Sequence, residues 1–130
     1  MIKSIDHIVL TAQNIEQTIT FYCDVLGMQL ESFTPPDGSP ARKALKFGDQ
    51  KINLHDATAP YIPHAENPTT GAIDICLLSD LPIQEWIKRF DLHNISIENG
   101  PVQKTGATGP LMSIYVRDPD GSLIEISNQI

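Results

Sequence analysis

Four side chains with metal-ligand chemistry fall within short, apolar, strand-like segments of this chain. They are His7, His55, Asp74 and Glu125. Alternate side chains of a strand point to opposite faces, so each of these residues is expected to turn away from its apolar neighbours. Two imidazoles and two carboxylates on strands that line one cavity are typical of a divalent-metal site. Glu125 gives the strongest signal, because burying an unpaired carboxylate is costly and coordination would offset that cost.

Each of these residues also has a purely structural interpretation. His7 could be a half-exposed histidine at the start of a strand, and His55 could be an exposed polar residue beside a loop. Asp74 could accept a hydrogen bond from a neighbouring backbone amide. The other two histidines, His64 and His93, are expected at the surface. The coincidence of His7, His55 and Glu125, rather than any one of them, indicates metal binding.

A second set of polar residues is a candidate for substrate binding. Asn53 shares the strand face of His55, and three residues alternate with apolar ones near the end of the chain: Ser113, Tyr115 and Arg117. If these residues face the same cavity, they supply a phenol, a hydroxyl and a cation that orient an anionic or enolisable substrate. The alternative is an exposed sheet face, above all for Arg117.

The elements that position these residues occur twice. The segment Ile5–Leu10 opens a strand followed by a helix, and Ala72–Leu77 opens another, 67 residues later. At that offset Gly27 corresponds to Asn94, and both residue types close helices in the left-handed conformation. The copies differ at His7 against Asp74 and at Asn53 against Glu125. Such differences on an inward face are candidates for chemistry.

Each copy predicts the order β-α-β-β-β, and in the second copy the strand after the helix is expected at about 95–98. The apolar stripe of the first helix comprises Ile15, Ile19, Tyr22 and Leu26, with Asn14 as its cap. We expect an α+β fold in one domain of residues 1–130, with module 1 at about 1–57, a linker at 58–70 and module 2 at about 71–130. Two such modules would pair their curved mixed sheets around a cavity, because one copy alone leaves a sheet face exposed.

The composition favours a globular protein that binds small molecules. Hydrophobic residues make up 41% of the chain, and the net charge at pH 7 is −7. Nucleic acids and anionic membranes attract clustered Lys and Arg, so this charge argues against both as partners. Cys23 and Cys76 form no Cys-x-x-Cys pair, and we expect both as buried free thiols. No signal peptide is visible after Met1, so a cytoplasmic protein is the default expectation.

Taken together, these segments resemble the vicinal-oxygen-chelate superfamily of glyoxalases, bleomycin-resistance proteins and extradiol dioxygenases. The resemblance rests on Asp6–Leu10, on Thr20-Phe21-Tyr22 with Leu26-Gly27, and on Asp118–Ile126. It covers essentially the whole chain. Within the superfamily, Gly48–His55 and Thr105-Gly106-Ala107 are similar to the glyoxalase domain-containing protein five-like subgroup. A glyoxalase-like fold and a homodimer are implied by this resemblance.

The resemblance also implies a divalent metal on the inner faces of the modules, with Fe, Mn, Ni or Zn as its identity. The first-strand ligand carries over to His7 and the last-strand ligand to Glu125. This chain departs from the family pattern where many relatives have a histidine at the position of Asp74, and where glyoxalase I has a glutamate at the position of Asn53. We expect His55 to replace the missing histidine as the third metal ligand.

The function expected from this site is metal-dependent chemistry on a small oxygen-rich metabolite. The metal would stabilise an enolate or oxyanion, as in a glyoxalase-type lyase or isomerase or an extradiol-type dioxygenase. Asp74 would act as a base and Tyr115 as its catalytic partner, with Asn53, Ser113 and Arg117 binding substrate. The alternative is a non-catalytic protein of the same fold that sequesters a small ligand and has a degenerate metal site.

Overall fold

The chain folds as two compact units with the same order of elements. The computed structural model describes residues 1–130, and the units are Met1–Thr70 and Gly71–Ile130. The strands of the first unit are β1 (His7–Ala12), β2 (Gln29–Phe33), β3 (Arg42–Phe47) and β4 (Gln50–Asp56). Those of the second unit are β5 (Asp74–Leu78), β6 (Asn99–Thr105), β7 (Pro110–Arg117) and β8 (Leu123–Gln129). A helix follows the first strand of each unit, so the α+β class and the β-α-β-β-β order are confirmed.

Each unit contains one mixed sheet, and the two sheets have the same topology. The strand orders are β1-β4-β3-β2 and β5-β8-β7-β6. The first strand of each unit pairs in parallel with the last strand, and the other pairings are antiparallel. A parallel partner cannot be reached through a tight hairpin, so the helix and two intervening strands provide the long connection.

The first helix begins as the capping pattern predicts. The side chain of Asn14 accepts a hydrogen bond of 3.0 Å from the backbone amide of Gln17, the third residue of α1 (Ile15–Ile19). The helix then widens into a π-helical segment over Thr20–Val25.

The second helix, α2 (Ile83–Leu92), ends in the way that the duplication predicts. Asn94 has a φ of 57°, and its counterpart after the first helix, Gly27, has a φ of 82°. Both residues therefore adopt the left-handed conformation that closes a helix. Neither helix is long and apolar enough to cross a membrane.

The buried stripe of the first helix differs from the predicted one. Only Tyr22 of the four predicted residues is fully buried, and Thr18, Phe21 and Val25 accompany it. Both sets of residues have helical spacing. The periodicity alone therefore could not distinguish which set faces the sheet.

The prediction of a strand at 95–98 is wrong. The strand β6 begins at Asn99 and contains Pro101, which lacks the backbone donor of a central strand. β6 is the outer strand of its sheet, where a missing donor is tolerated. Its sequence is Asn-Gly-Pro-Val-Gln-Lys-Thr, in which Val102 is the one aliphatic residue larger than proline, so no apolar alternation marks it.

The core of each unit lies between the helix and one face of the sheet. In the first unit Leu10, Ile52 and Leu54 are buried on that face, and α1 contacts β4. In the second unit Ile124 and Ile126 are buried on the corresponding face, and α2 contacts β7 and β8. The opposite face of each sheet is called the helix-free face below. It carries the predicted polar residues, because they alternate with these core positions.

The segment between the units contains no helix or strand, as its prolines predict. Residues 57–70 form turns and bends only. The boundary between the units falls at its end, after Thr70. The assignment of the whole chain to one domain stays a prediction.

Both cysteines are free, but they are less buried than expected. Cys23 is half-buried and Cys76 is exposed. Cys76 alternates with the core residues of β5 and therefore lies on the helix-free face, which leaves its thiol accessible.

We expect Gly71→Ala to destabilise the protein by about 2 kcal/mol more than Gly38→Ala. Gly71 and Gly38 have φ values of 70° and 83°, so both substitutions carry the left-handed backbone cost of roughly 1 kcal/mol. Only at Gly71 would the new Cβ meet backbone, 2.5 Å from the carbonyl oxygen of Asp120, whereas Gly38 has nothing within 4 Å. Urea unfolding of both variants measures the difference, and equal losses would contradict this packing.

Candidate active site

The strand registers place the four differing residues at equivalent positions in the two sheets. In the first unit His7 lies opposite Lys51, and Asn53 lies two residues farther along β4. In the second unit Asp74 lies opposite Leu123, and Glu125 lies two residues farther along β8. Each sheet therefore presents one residue of its first strand and one of its last strand, in the same relation, on its helix-free face.

His7 is oriented by the residue that precedes it. Its Nδ1 lies 2.8 Å from Oδ1 of Asp6, and its side chain is 43% exposed. The hydrogen bond from His7 lowers the pKa of the Asp6 carboxyl, as do the charges of Lys51 and Lys46. A carboxylate that accepts the Nδ1 proton fixes the ring tautomer and leaves Nε2 able to bind a metal. Taken singly, His7 fits the role of a metal ligand.

Glu125 is held by two buried hydroxyl groups. Its Oε2 accepts hydrogen bonds from Oγ of Ser113 at 2.6 Å and from Oγ of Ser127 at 3.3 Å. The two serine hydroxyls lie 2.7 Å apart, and both residues are fully buried. This explains how a carboxylate is accommodated between two core isoleucines, because buried donors offset its desolvation.

A cavity of about 510 Å³ opens beside Glu125 in the second unit. The largest apolar residues of its lining are Leu78 and Leu111, and the side chains with polar groups beside Glu125 are Cys76, Lys104, Thr105, Thr108, Tyr115 and Gln129. The Nζ atom of Lys104 lies 5.7 Å from the centroid of the Tyr115 ring. A mainly apolar cavity with a few polar groups is suited to a small organic ligand.

Two acidic protons in this cavity are retained at neutral pH. Burial raises the pKa of the Tyr115 phenol, and the negative charge of Glu125 raises it further. Burial also raises the pKa of the Cys76 thiol, whose Sγ lies 3.2 Å from Oγ of Ser127. Tyr115 can therefore donate a hydrogen bond to a developing oxyanion, whereas Cys76 is not activated as a thiolate nucleophile.

Two residues predicted to bind substrate have structural partners instead. Ser113 is fully buried and donates to Glu125, so it positions that carboxylate and is covered from substrate. Arg117 donates to both carboxylate oxygens of Glu98, at 3.1 and 2.9 Å, and to the carbonyl of Gly121. These contacts hold Arg117 at the end of its sheet.

The structure does not bring His55 to His7. His55 lies opposite Thr11, four residues beyond His7 along β1, and this spacing corresponds to about 13 Å at 3.3 Å per residue. No group of three or more His, Cys, Asp or Glu side chains lies close enough together to hold a metal. His55 therefore does not fit as a third ligand beside His7, and the predicted set His7, His55 and Glu125 is revised.

His55 is instead buried in the first unit, close to Tyr61 and Arg42. It is 4% exposed, and its ring contacts the ring of Tyr61 with a centroid distance of 5.5 Å. Burial lowers the pKa of His55, and the charges of Arg42 and His64 lower it further. The sequence pattern missed Arg42 and Tyr61 here, and Lys104 in the second unit. Each lies at a strand end or in a loop, where no alternation identifies the face.

Two exposed histidines match the prediction. His64 and His93 are both exposed, and Nδ1 of His64 lies 2.7 Å from the carbonyl oxygen of Ala65. Neither lines the cavity beside Glu125.

We expect the protein to lose stability below pH 6.5 through His55. A pKa lowered from 6.5 means that the unfolded chain binds a proton before the folded one does. His55 therefore lowers the free energy of unfolding only below pH 6.5. The loss grows by up to about 1.4 kcal/mol per pH unit as the pH falls towards the folded-state pKa. Urea unfolding at pH 7.5 and 5.5 should show a smaller loss for His55→Gln than for the wild type. The matched variant His93→Gln should behave as wild type, and equal losses in all three proteins would contradict a buried neutral imidazole.

Comparison with known proteins identifies relatives along the whole chain. The virulence protein STM3117 of Salmonella typhimurium is 48% identical over 130 residues, which is 100% of this chain and 87% of that protein. The glyoxalase domain-containing protein RDO1 of Mycosarcoma maydis is 43% identical over 127 residues, which is 98% of this chain and 69% of that protein.

Solved structures have the same fold. The crystal structure of the same Salmonella virulence protein superposes with a TM-score of 0.89, covering 100% of this chain and 99% of that one. A lactoylglutathione lyase from Agrobacterium tumefaciens, 26% identical, superposes with a TM-score of 0.69 and covers 96% and 92% of the two chains. The sequence profile of one superfamily matches residues 4–126. The chain belongs to the Glyoxalase/Bleomycin resistance protein/Dioxygenase superfamily.

Proposed function

We propose that this protein is a divalent-metal-dependent enzyme that acts on a small oxygen-rich metabolite by removing a proton and stabilising the resulting oxyanion. The observation that carries the proposal is Glu125, a carboxylate fixed by two serine hydroxyls at the edge of a cavity of about 510 Å³. A carboxylate that only stabilised the fold would not require a cavity beside it. A ligand-binding carboxylate needs both the cavity and the fixed orientation.

His7 and Glu125 are the proposed metal ligands. His7 has the carboxylate support of Asp6 at 2.8 Å, and Glu125 has the hydroxyl support of Ser113 at 2.6 Å. Supporting partners of this kind are typical of metal ligands, because they fix the orientation and raise the basicity of the coordinating atom. Neutral imidazole nitrogen and carboxylate oxygen together suit Fe, Mn, Ni or Zn.

When bound, a divalent metal acts as a Lewis acid that stabilises negative charge developing on substrate oxygens. The residues of the chain supply the remaining functions. The phenol of Tyr115 keeps its proton at neutral pH and can donate a hydrogen bond to the developing oxyanion. Asp74 is the proposed general base, since its carboxylate is exposed on the helix-free face and its charge acts on both Tyr115 and Arg117.

A lyase or isomerase is favoured over a dioxygenase by the lining of the cavity. It contains a carboxylate, a phenol and an ammonium group but no histidine. Extradiol chemistry needs an additional acid or base, and Nδ1 of His64 in the segment between the units is engaged with the carbonyl of Ala65. Proton transfer by a carboxylate needs no such group. The similarity to a lactoylglutathione lyase is consistent with this choice.

The second candidate is a ligand-binding protein without catalysis. The observation that favours it is the pair of Asn53 and Asp74, since each occupies the position that corresponds to a proposed ligand in the other unit. An amide is a weaker metal ligand than a carboxylate. In this proposal the cavity binds a small molecule, and His7 and Glu125 are relics.

Protein purified without chelator is expected to bind one divalent ion per chain. His7→Ala and Glu125→Ala should each weaken binding more than Asp6→Ala, which removes only the supporting carboxylate and should cost about 10- to 100-fold in affinity. His55→Gln and the control His93→Gln should leave the affinity unchanged, because neither residue belongs to the revised ligand set. Elemental analysis and calorimetric titration with Mn²⁺, Ni²⁺ and Zn²⁺ measure these effects.

Failure of the wild type to take up any of these ions would contradict the enzyme proposal and favour the binding protein. Loss of binding in His55→Gln would restore His55 to the ligand set.

The metal-loaded protein is expected to convert methylglyoxal–thiol adducts rather than catechols or fosfomycin. Asp74→Asn should lower kcat by about 10²- to 10⁴-fold, the range for loss of a general base, with metal content unchanged. Turnover of catechols with oxygen consumption would contradict the proposed reaction class. The expected homodimer stays a prediction, which light scattering of the eluted protein would test.

A further inference from the structure

The first unit contains a half-buried arginine whose charge interacts with Asp37 but which makes no ion pair or hydrogen bond with a carboxylate. Arg42 makes no ion pair, although Lys43, Lys88 and Arg117 all do. Its Nε–H is buried and has no hydrogen-bond acceptor. The ring of Tyr61 lies over its guanidinium group, with 3.9 Å between Cζ and the ring centroid. A buried N–H group without an acceptor is costly, so this arrangement needs an explanation beyond packing.

Two further polar atoms nearby also lack partners. Nδ1 of His55 and Oδ1 of Asn53 are buried without hydrogen bonds. His55 and Asn53 alternate on β4 and so share the helix-free face, and Asn53 lies opposite Ala44 of β3. The same register continued by two residues places Arg42 beside His55. The effect of the Arg42 charge on the pKa of His55 is consistent with that placement.

These three atoms have complementary chemistry. Nε of Arg42 is a donor, and Nδ1 of His55 is a donor when it carries the ring proton. Oδ1 of Asn53 is an acceptor. Two donors suit an oxyanion, and the acceptor suits a hydroxyl group beside it. Diagonal neighbours on paired strands lie about 7 to 8 Å apart, which is close enough for one small molecule to reach all three.

Cations outnumber carboxylates among the paired strand residues of this face. The net charge of the chain is −7, yet Arg42, Lys46 and Lys51 lie here at paired positions, and Glu31 is the one carboxylate among the paired residues of β2, β3 and β4. Two carboxylates flank these strands, since Asp6 interacts with the charges of Lys46 and Lys51, and Asp37 with that of Arg42. Specificity for an anion therefore rests on the unpaired Nε–H of Arg42 and not on a net positive surface.

We propose that Arg42, Asn53 and His55 form a binding site for a small oxyanion that carries a hydroxyl group, with Tyr61 as its cover. A 2-hydroxy carboxylate and a hydrogen phosphate share this chemistry. The site deepens the proposed function, because it lies on the same sheet face as His7 and would receive the anionic end of the metabolite. Its role towards substrate rests on the proposed function, whereas anion binding itself does not.

The test is an NMR titration of the labelled full-length protein at constant ionic strength, with glycolate, acetate and hydrogen phosphate as probes. The chain has only four histidines, so the ring signals of His55 are readily distinguished. Saturable shifts of His55 and of the Arg42 Nε–H are expected with glycolate, and no shift at His93. Glycolate should bind about fivefold more tightly than acetate, since acetate lacks the hydroxyl that donates to Asn53.

Matched variants separate this site from general charge effects. Arg42→Gln should weaken glycolate binding about tenfold or more, and Arg42→Lys, which retains the charge, by a smaller factor. Lys43→Gln removes the same charge from the neighbouring residue on the opposite face and should change the affinity less than about twofold. Asn53→Ala should remove the preference for glycolate over acetate.

Each result of these titrations either supports or overturns the proposed anion site. No saturable shift with any probe, or equal weakening by Arg42→Gln and Lys43→Gln, would overturn the proposal. Equal affinity for acetate and glycolate would overturn the hydroxyl requirement. Preference between glycolate and hydrogen phosphate identifies the source of the oxyanion. Metal uptake is measured separately, so anion binding without metal binding would refute the proposed enzyme while supporting this site.

Discussion

The parallel pairing of the first and last strands in each unit is the constraint on which the candidate chemistry depends. It fixes the positions of His7 and Asn53 relative to each other, and those of Asp74 and Glu125 in the same way. Because side chains of a sheet have a period of two, this one register decides which residues share a face. A shift of one residue would place Glu125 in the core and the isoleucines beside it in the cavity.

The polar residues of the two helix-free faces differ in how completely they are satisfied. Glu125 has two serine donors, and Arg117 has the bidentate carboxylate of Glu98. Arg42 has an aromatic ring but no acceptor for its Nε–H. Buried polar groups are nearly always hydrogen-bonded in folded proteins. Of the four buried side-chain atoms without a hydrogen-bond partner, three belong to Arg42, Asn53 and His55, and the fourth belongs to Thr18 of the first helix. The concentration of three such atoms on one sheet face supports the proposed anion site.

Much of the scaffold could be predicted from the sequence because its signals are local. Strand alternation identified β1, β4 and β8, and the helix closures at Gly27 and Asn94 followed from residue type. The strand β6 could not be found, because an edge strand that contains proline needs no apolar pattern. The face of the first helix was misplaced because its sequence offers two apolar stripes of equal spacing.

The candidate site was less predictable, because alternation gives the face of a residue but not its depth along the strand. His7 and His55 were correctly placed on one face, yet the register separates them by four residues. That distance also gives His55 a different set of neighbours, with Arg42 and Tyr61 in place of a second metal ligand. The duplication therefore places the proposed ligands His7 and Glu125 at positions that have equivalents, Asp74 and Asn53, in the other unit. Farther along the first sheet, Arg42 and His55 lie beside Asn53, the counterpart of Glu125.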